Sequence, residues 1–242
     1  MIRIIADTHT HSIASGHAYG TITENCRAAA EKGLKFLAVT DHTPNMPGTT
    51  HPYYFENRMN VPPVLCGINV IRGCESNIIN IDGEVDLPHR ILKKLDLVIA
   101  SMHVPTFAPP GREIVTQTYL NVAENEDVDI IGHCGDSRFD FDHEPVIRAF
   151  AAHGKVVEIN AHSFDARPGS RENCPKIARL CAEHGVPVVV STDAHFYTAI
   201  GNFQNALDCL ESLHFPEELI LNADEGQFKA FLTAKTGRTK YV

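Results

Sequence analysis

Histidine and carboxylate side chains crowd the start of the chain. The stretch "ADTHTHSIASGH" (6–17) contains Asp7, His9, His11 and His17. It follows "IRIIA", an apolar run that predicts a buried strand and is unlike an added tag of identical residues. Residues two apart in an extended chain point to the same side, so Asp7, His9 and His11 would line one face. Imidazoles and a carboxylate converging on one point predict a metal site.

Further residues of the same types recur in phase with apolar runs along the chain. These runs predict strands at 2–6, 35–40, 69–74, 97–101, 128–132, 155–159 and 187–191. Helical patterns lie between and after them, at 22–32, 88–94, 112–126, 142–153, 171–184, 202–213 and 225–235. Six of the seven strands deliver His, Glu or Asp at their carboxyl end, namely His9 with His11, His42, Glu75, His103, His133, and Asp193 with His195.

This alternation of strand and helix predicts parallel strands joined by right-handed helical crossovers. Either an open doubly wound sheet or a closed barrel fits it. In an open sheet neighbouring strands lie about 4.8 Å apart, so the first and seventh strand ends could not share one small site. A barrel brings all strand ends around one mouth. The positions of the candidate ligands therefore favour an α/β barrel.

Nine side chains are candidates for metal binding: His9, His11, His17, His42, Glu75, His103, His133, Asp193 and His195. One zinc ion takes about four ligands, so nine suit two or three ions. Imidazole combined with carboxylate suits Zn, Mn or Fe better than Ca or Mg. We expect Glu75 to bridge two ions, and Asp7 and Asp41 to orient imidazoles by accepting their second N–H.

The remaining histidines fall out of phase with the strand ends and are interpreted as surface or structural residues. They are His51, His89, His143, His153, His162, His184 and His214.

Composition narrows the class of protein. The 242 residues suit one barrel domain, and no linker or repeat divides them, so we expect a single domain over 1–242. The formal charge of -9 argues against a protein that grips long nucleic acid. No apolar run approaches the length that spans a bilayer, and no signal-peptide pattern opens the sequence.

The cysteines indicate a reducing compartment. Seven are scattered along the chain without a C-x-x-C pair, which predicts reduced and mostly buried thiols and a cytoplasmic location. Cys74 and Cys134 neighbour candidate ligands and are interpreted as small core residues.

Together these motifs resemble the PHP (polymerase and histidinol phosphatase) superfamily, most closely its stand-alone phosphatase branch. The similarity runs along nearly the whole chain, through "DTHTHSIASGHAYGT", "LAVTDHTPNMP", "IRGCESNIINIDGEVD", "HVPTFAP", "IIGHCG", "EINAHSF" and "STDAH". The resemblance implies a distorted, TIM-like (β/α)7 barrel with a trinuclear metal centre. Two segments at the barrel mouth depart from the common pattern, Val104 in "VPTF" and "HCGDSRFD", and they leave substrate preference open.

Position by position, the resemblance assigns the nine ligands to three divalent ions, with Zn favoured and Mn or Fe as alternatives. The first ion is assigned His9, His11, Glu75 and Asp193. Glu75 would bridge to a second ion held by His103 and His133, and His17, His42 and His195 would hold the third. We assign the catalytic role to His9, Glu75, His133 and Asp193.

The expected activity is hydrolysis of small phosphate monoesters by attack of metal-bound hydroxide. Arg167 is the first candidate for binding the phosphate, because a guanidinium matches its geometry, with solvated-loop roles favoured for Arg58 and Arg138. Three alternatives remain: a histidinol phosphatase, an exonuclease or polymerase-associated module, and a carbonyl-directed metallohydrolase. The last is disfavoured because no lysine stands at a strand end. The expected partner is a small phosphorylated substrate, without long nucleic acid or membrane, and a homo-oligomer is compatible with the sequence.

Overall fold

A computed structural model describes residues 2–236. The strands are β1 (Ala6–Asp7), β2 (Phe36–Val39), β3 (Val64–Leu65), β4 (Ile68–Asn77), β5 (Leu97–Ser101), β6 (Ile130–Ile131), β7 (Val156–Asn160) and β8 (Val188–Ser191). The helices are α1 (Ile22–Glu31), α2 (Pro52–Glu56), α3 (His89–Leu92), α4 (Arg112–Glu124), α5 (His143–Ala152), α6 (Ser163–Ala166), α7 (Ser170–His184), α8 (Gln204–Ser212) and α9 (Glu225–Thr236).

Seven strands pair in parallel in the order β1-β2-β4-β5-β6-β7-β8 and form a nearly closed barrel. The predicted α/β barrel is therefore confirmed. Each predicted strand and helix is present, with some bounds shifted. The sequence did not predict α2, α6 or the short antiparallel hairpin of β3 with β4.

The barrel interior is built from alternate residues of its strands. Ala6, Phe36, Ile71, Leu97, Ile130, Val156 and Val189, one from each of the seven parallel strands, belong to one buried apolar cluster. Phe228 and Leu232 of α9 belong to the same cluster, and the Phe228 ring meets that of Phe36 edge to face at 5.4 Å. Helix α9 therefore covers one end of the barrel, which we call the floor.

Charged residues directly precede three strands at the floor. The Asp96 carboxylate, before β5, accepts hydrogen bonds from the backbone N–H and the Nε of Arg72, both at 3.0 Å. Before β7, Lys155 donates to the carbonyls of Asn125 at 2.6 Å and Val128 at 2.7 Å. Asp129, before β6, lies 3.0 Å from the ammonium of Lys235. The floor thus supplies partners for its buried charges.

The seam between β1 and β8 closes without a ladder of its own. Asn222 donates to the carbonyls of Ala6 at 2.8 Å and Val190 at 2.6 Å, and accepts from the N–H of Val190 at 3.0 Å. The backbone carbonyl of Asn222 accepts from the Ile5 N–H at 2.9 Å. One buried amide thereby replaces several strand-to-strand hydrogen bonds, and Ile2 to Ile5 of the predicted first strand lie outside the ladder.

Several helices begin and end at residues suited to those positions. Thr21 caps α1 in a capping box with Glu24, and Gly33 after it adopts a φ of 74°. Gly154 and Gly185 follow α5 and α7 with φ of 65° and 68°. These conformations favour glycine because they are strained for residues with a side chain.

The cysteines and the lengths of the described helices bear on the predictions made from composition. All seven cysteines are free thiols, and every one except Cys66 is buried, as predicted. None of the described helices has the length and apolarity to cross a bilayer. The single domain over 1–242 stays a prediction, and Met1 and 237–242 lie outside the described residues.

Candidate metal centre

The nine candidate ligands lie at the carboxyl ends of the barrel strands, which we call the mouth. Of the nine, only His17 does not lie in or directly beyond a strand; it follows the short turn after His11. Bridges between Thr10 and Ala194 and between His42 and Glu75 hold neighbouring strand ends side by side. The mouth therefore gathers residues as far apart in sequence as His9 and His195.

A first group of ligand atoms converges on one point. His9 Nε2 lies 3.1 Å from His11 Nε2 and 3.3 Å from Glu75 Oε2. Asp193 Oδ1 lies 3.0 Å from His11 Nε2 and 3.5 Å from His9 Nε2. Ligands about 2.0 to 2.1 Å from a tetrahedral zinc ion lie roughly 3.4 Å from one another. The spacing of these four atoms matches one tetrahedral ion.

Glu75 faces a second group with its other oxygen. Its Oε1 lies 2.7 Å from His133 Nε2 and 3.1 Å from His103 Nε2. Its Oε2 lies 2.6 Å from His42 Nδ1. Because its two oxygens point to different imidazoles, this carboxylate is placed as a bridging ligand would be.

A third group joins His11, His42 and His195, whose ligand atoms lie within 4.8 Å of one another. His17 lies beside it, with its ring 4.9 Å from that of His42 and 4.8 Å from that of His195. His17 is exposed, and its ligand atoms belong to none of the close groups found among the described residues. The His17 ring therefore lies beside the cluster, but its two nitrogens do not join the close groups of ligand atoms.

Four buried atoms at the mouth form no well-aligned hydrogen bond among the described residues, although each lies within 3.1 Å of another candidate ligand atom. They are His42 Nδ1, Glu75 Oε2, His103 Nε2 and Asp193 Oδ1. All four belong to predicted ligands and face the centre, so the residues fit divalent ions that would bind these atoms.

Outer residues fix the orientation of the imidazoles. Glu158 accepts from His9 Nδ1 at 2.6 Å and from the His133 backbone N–H at 2.7 Å. The Asn77 side-chain oxygen accepts from His103 Nδ1 at 2.8 Å. The carbonyl of Asp193 accepts from His195 Nδ1 at 2.8 Å. Each contact leaves the ring's other nitrogen free for an ion.

The expectation that Asp7 and Asp41 accept directly from imidazoles is wrong. Asp7 accepts from the N–H and the hydroxyl of Thr192, at 3.1 Å and 2.6 Å, so it supports the loop of Asp193. Asp41 accepts from the Ser15 hydroxyl at 2.8 Å, and Ser15 Oγ lies 2.9 Å from His11 Nδ1. Asp41 thus acts on His11 through a serine.

Burial and neighbouring charges set the protonation of the ligands. Burial alone would raise the pKa of Glu75, but His42 and His9 hold it well below its ordinary value. Burial also opposes ionisation of Asp193, yet His9 and Arg167 hold its pKa well below the usual range. Burial, with the charge of His42, lowers the pKa of His11 to about 3. Ionised carboxylate and neutral imidazole are the forms that bind cations, whereas at His9 the effect of burial is outweighed by Glu158 and Glu75, which raise its pKa well above its ordinary value.

Two ligands hold strained backbone conformations. His133 has a φ of 26° and Asp193 a φ of 52°. Side chains rarely adopt this region, at a cost of about 1 to 3 kcal/mol each. The surrounding fold sustains the strain at residues that aim a side chain into the centre.

The three arginines considered in the sequence have different surroundings. Arg167 is partly buried, and its Nη2 donates to Asp193 Oδ2 at 2.7 Å. Arg58 is buried and donates to the carbonyl of Val39 at 2.8 Å, so its interpretation as a solvated loop residue is wrong. Arg138 is half exposed and pairs with Asp136. Of these, Arg167 contacts a candidate ligand directly.

Sequence reasoning missed Glu158, Asn77 and Ser15. Glu158 carried a signal, because it is a charged residue inside the apolar run "KVVEI" of the one strand without a predicted ligand. Asn77 and Ser15 carried none, since their roles depend on which atoms the fold brings near them. His162, interpreted as surface or structural, is exposed in the turn after β7 at the mouth.

Residues 7–162 match the PHP domain family. The chain is 46% identical over 239 residues to a protein of Caldanaerobacter subterraneus subsp. tengcongensis named "Probable phosphatase", covering 98% of this chain and 94% of that one. It is 43% identical over 232 residues to a protein of the same name in Photobacterium profundum, covering 96% and 94%.

A solved structure shares the fold. The histidinol phosphate phosphatase of Lactococcus lactis subsp. lactis, complexed with zinc, L-histidinol and phosphate, superposes with a TM-score of 0.61 and 18% identity. The match covers 87% of this chain and 94% of that one.

Proposed function

The chain belongs to the PHP domain family, and on that premise we propose that it hydrolyses phosphate monoesters of small molecules at a centre of three divalent ions. It is a metal-dependent phosphatase of this family. The observation that carries the proposal is the convergence of buried imidazole nitrogens and carboxylate oxygens around Glu75, several of them without well-aligned hydrogen bonds among the described residues.

The proposed ions would be held by the nine mouth residues. His9, His11, Glu75 and Asp193 hold the first, Glu75 with His103 and His133 the second, and His17, His42 and His195 the third. The spacing of the first group supports one tetrahedral site, and the two-sided contacts of Glu75 support a bridge. Zinc suits imidazole with carboxylate, and Mn and Fe are alternatives with the same preference.

Ions bound there would lower the pKa of water and neutralise charge on the phosphoryl oxygens. The chain's own residues prepare this chemistry. His9, Glu75, His133 and Asp193 surround the reaction site, and Glu158 keeps His9 in the tautomer that presents Nε2 inward. Arg167 donates to Asp193 through Nη2. Its remaining N–H groups are proposed to donate to a phosphate oxygen.

The proposed substrate is small, because the formal charge of -9 disfavours binding of a long polyanion such as nucleic acid. Val104 and the pair of Asp136 with Arg138 lie near the mouth and are proposed to influence substrate choice. Free, mostly buried thiols support a cytoplasmic location. A homo-oligomer stays compatible with this proposal.

A panel of substrates tests the function. Purified protein loaded with zinc is assayed on alkyl and aryl phosphate monoesters, histidinol phosphate, a phosphodiester and single-stranded DNA, before and after chelation. We expect turnover of monoesters that chelation abolishes and zinc, manganese or iron restores. Metal analysis should give about three ions per chain. Turnover of DNA alone would favour the exonuclease alternative, and activity indifferent to chelator would overturn the proposal.

A further inference from the structure

His162 lies at the mouth but is none of the nine ligands. It occupies the turn between β7 and α6, two residues beyond the end of a barrel strand. The turn is fixed from both sides: Ser163 N–H donates to Asn160 Oδ1 at 3.1 Å, and the carbonyl of His162 accepts from Asp165 at 3.1 Å and Ala166 at 3.0 Å. Its Cα is therefore held while its ring stays exposed.

The element that carries His162 reaches the metal centre. Arg167 directly follows the four-residue α6 and donates to Asp193 Oδ2 at 2.7 Å. Asn160, on the other side of His162, lies 3.4 Å from the same oxygen through Nδ2. The segment 160–167 thus touches Asp193 at both ends and places His162 between those two contacts.

The charges around His162 come from two segments, α6 with the residue after it and the loop after β8. Burial lowers the pKa of His162, Asp193 and Asp165 raise it, and Arg167 and His195 lower it. The imidazole has no hydrogen-bond partner among the described residues, and it makes no capping bond to α6. It is therefore available to a bound substrate, whose phosphate dianion would favour the protonated ring.

We propose that His162 is the general acid for the leaving group of the phosphatase reaction. The oxygen of a water molecule forms a bond to phosphorus and one proton of that water passes to solvent, while the bond from phosphorus to the ester oxygen breaks and its electron pair stays on that oxygen. The oxygen takes a proton from the imidazolium and leaves as an alcohol, and His162 is reprotonated by solvent. A positioned acid of this kind contributes roughly 10² to 10⁴ in rate. This proposal rests on the phosphatase activity proposed above.

Leaving-group dependence tests the role. H162Q and wild type, both zinc-loaded, are compared on an alkyl phosphate and on p-nitrophenyl phosphate, whose leaving group needs little protonation. We expect kcat on the alkyl phosphate to fall about 100-fold, with much less change on p-nitrophenyl phosphate. The fall in activity that wild type shows at alkaline pH with the alkyl substrate should be absent from the pH profile of H162Q. Metal content should match wild type, and H153Q, at an exposed position directly after α5, is the control.

Other outcomes separate the two proposals. An equal loss on both substrates, or no loss on either, would overturn the role of His162 and leave the phosphatase function standing. Inactivity of wild type on every monoester would overturn both.

Discussion

The floor and the mouth of the barrel both bury charged side chains, and they pair them differently. At the floor, charges precede strands and meet partners within the chain, as Asp96 meets Arg72. At the mouth, charged and imidazole groups follow strands, and Glu75 Oε2 and Asp193 Oδ1 lie 2.6 Å and 3.0 Å from imidazole nitrogens without well-aligned hydrogen bonds in the described part of the chain. The floor pairs its charges within the chain, whereas the mouth groups ligand atoms in a way that fits divalent ions.

Removal of the Glu75 carboxylate from the mouth should reduce activity strongly. Glu75→Ala removes a carboxylate that faces two groups of imidazoles, so it should lose two ions together and lower kcat/KM by about 10³-fold or more, since each ion is worth several kcal/mol to the reaction. Metal analysis and monoester kinetics measure this. Glu84→Ala, at an exposed loop position, is the matched control. Loss of a single ion would contradict the bridge.

A substitution at the floor should lower stability and leave metal binding unchanged. Asp96→Ala leaves the buried Arg72 without its carboxylate, which should lower the free energy of unfolding by about 3 to 5 kcal/mol. The folded protein should keep its ions and its kcat. Denaturant unfolding and metal analysis measure the two properties, with the exposed Asp208→Ala as control. If metal content falls together with stability, the two ends are coupled and the comparison fails.

A substitution at Glu158, which accepts hydrogen bonds from two candidate ligands, should have a smaller effect on metal binding. Glu158→Gln keeps the shape of the side chain but weakens acceptance from His9 Nδ1 and the His133 backbone. Metal affinity should fall by about 10 to 100-fold, as for other orienting partners of ligands. Metal-buffered titration measures it, and Glu31→Gln, at the exposed end of α1, serves as the comparison. Unchanged affinity would show that Glu158 serves the fold alone.

Residue types and spacing predicted most of the fold and the gathering of the ligands. Parallel strands end at one rim, so His42, Glu75 and His103 could be placed together from sequence phase alone. The pattern could not show which oxygen of Glu75 faces which ring. It also could not reveal that Asp41 acts through Ser15, because hydroxyl relays depend on atomic positions.

Irregular segments were harder to predict for a physical reason. The residues from 43 to 67 hold α2 and the β3 hairpin, elements too short to show a helical or strand period. The N-terminal part of the first strand had the right pattern, but on the seam side the Ile5 N–H donates to the Asn222 backbone carbonyl rather than to a strand. Tertiary hydrogen bonding of this kind leaves no local periodicity.

The seam closed by Asn222 has a consequence for synthesis of the protein. His9 and His11 leave the ribosome long before Asp193 and His195, which belong to the opposite side of the seam, and Asn222 joins the two sides about 30 residues later still. Closing contacts between such distant residues is slow because the intervening chain must first be ordered. A nascent chain therefore lacks part of the candidate centre until these residues have been made, and loading of the proposed ions would follow closure of the seam.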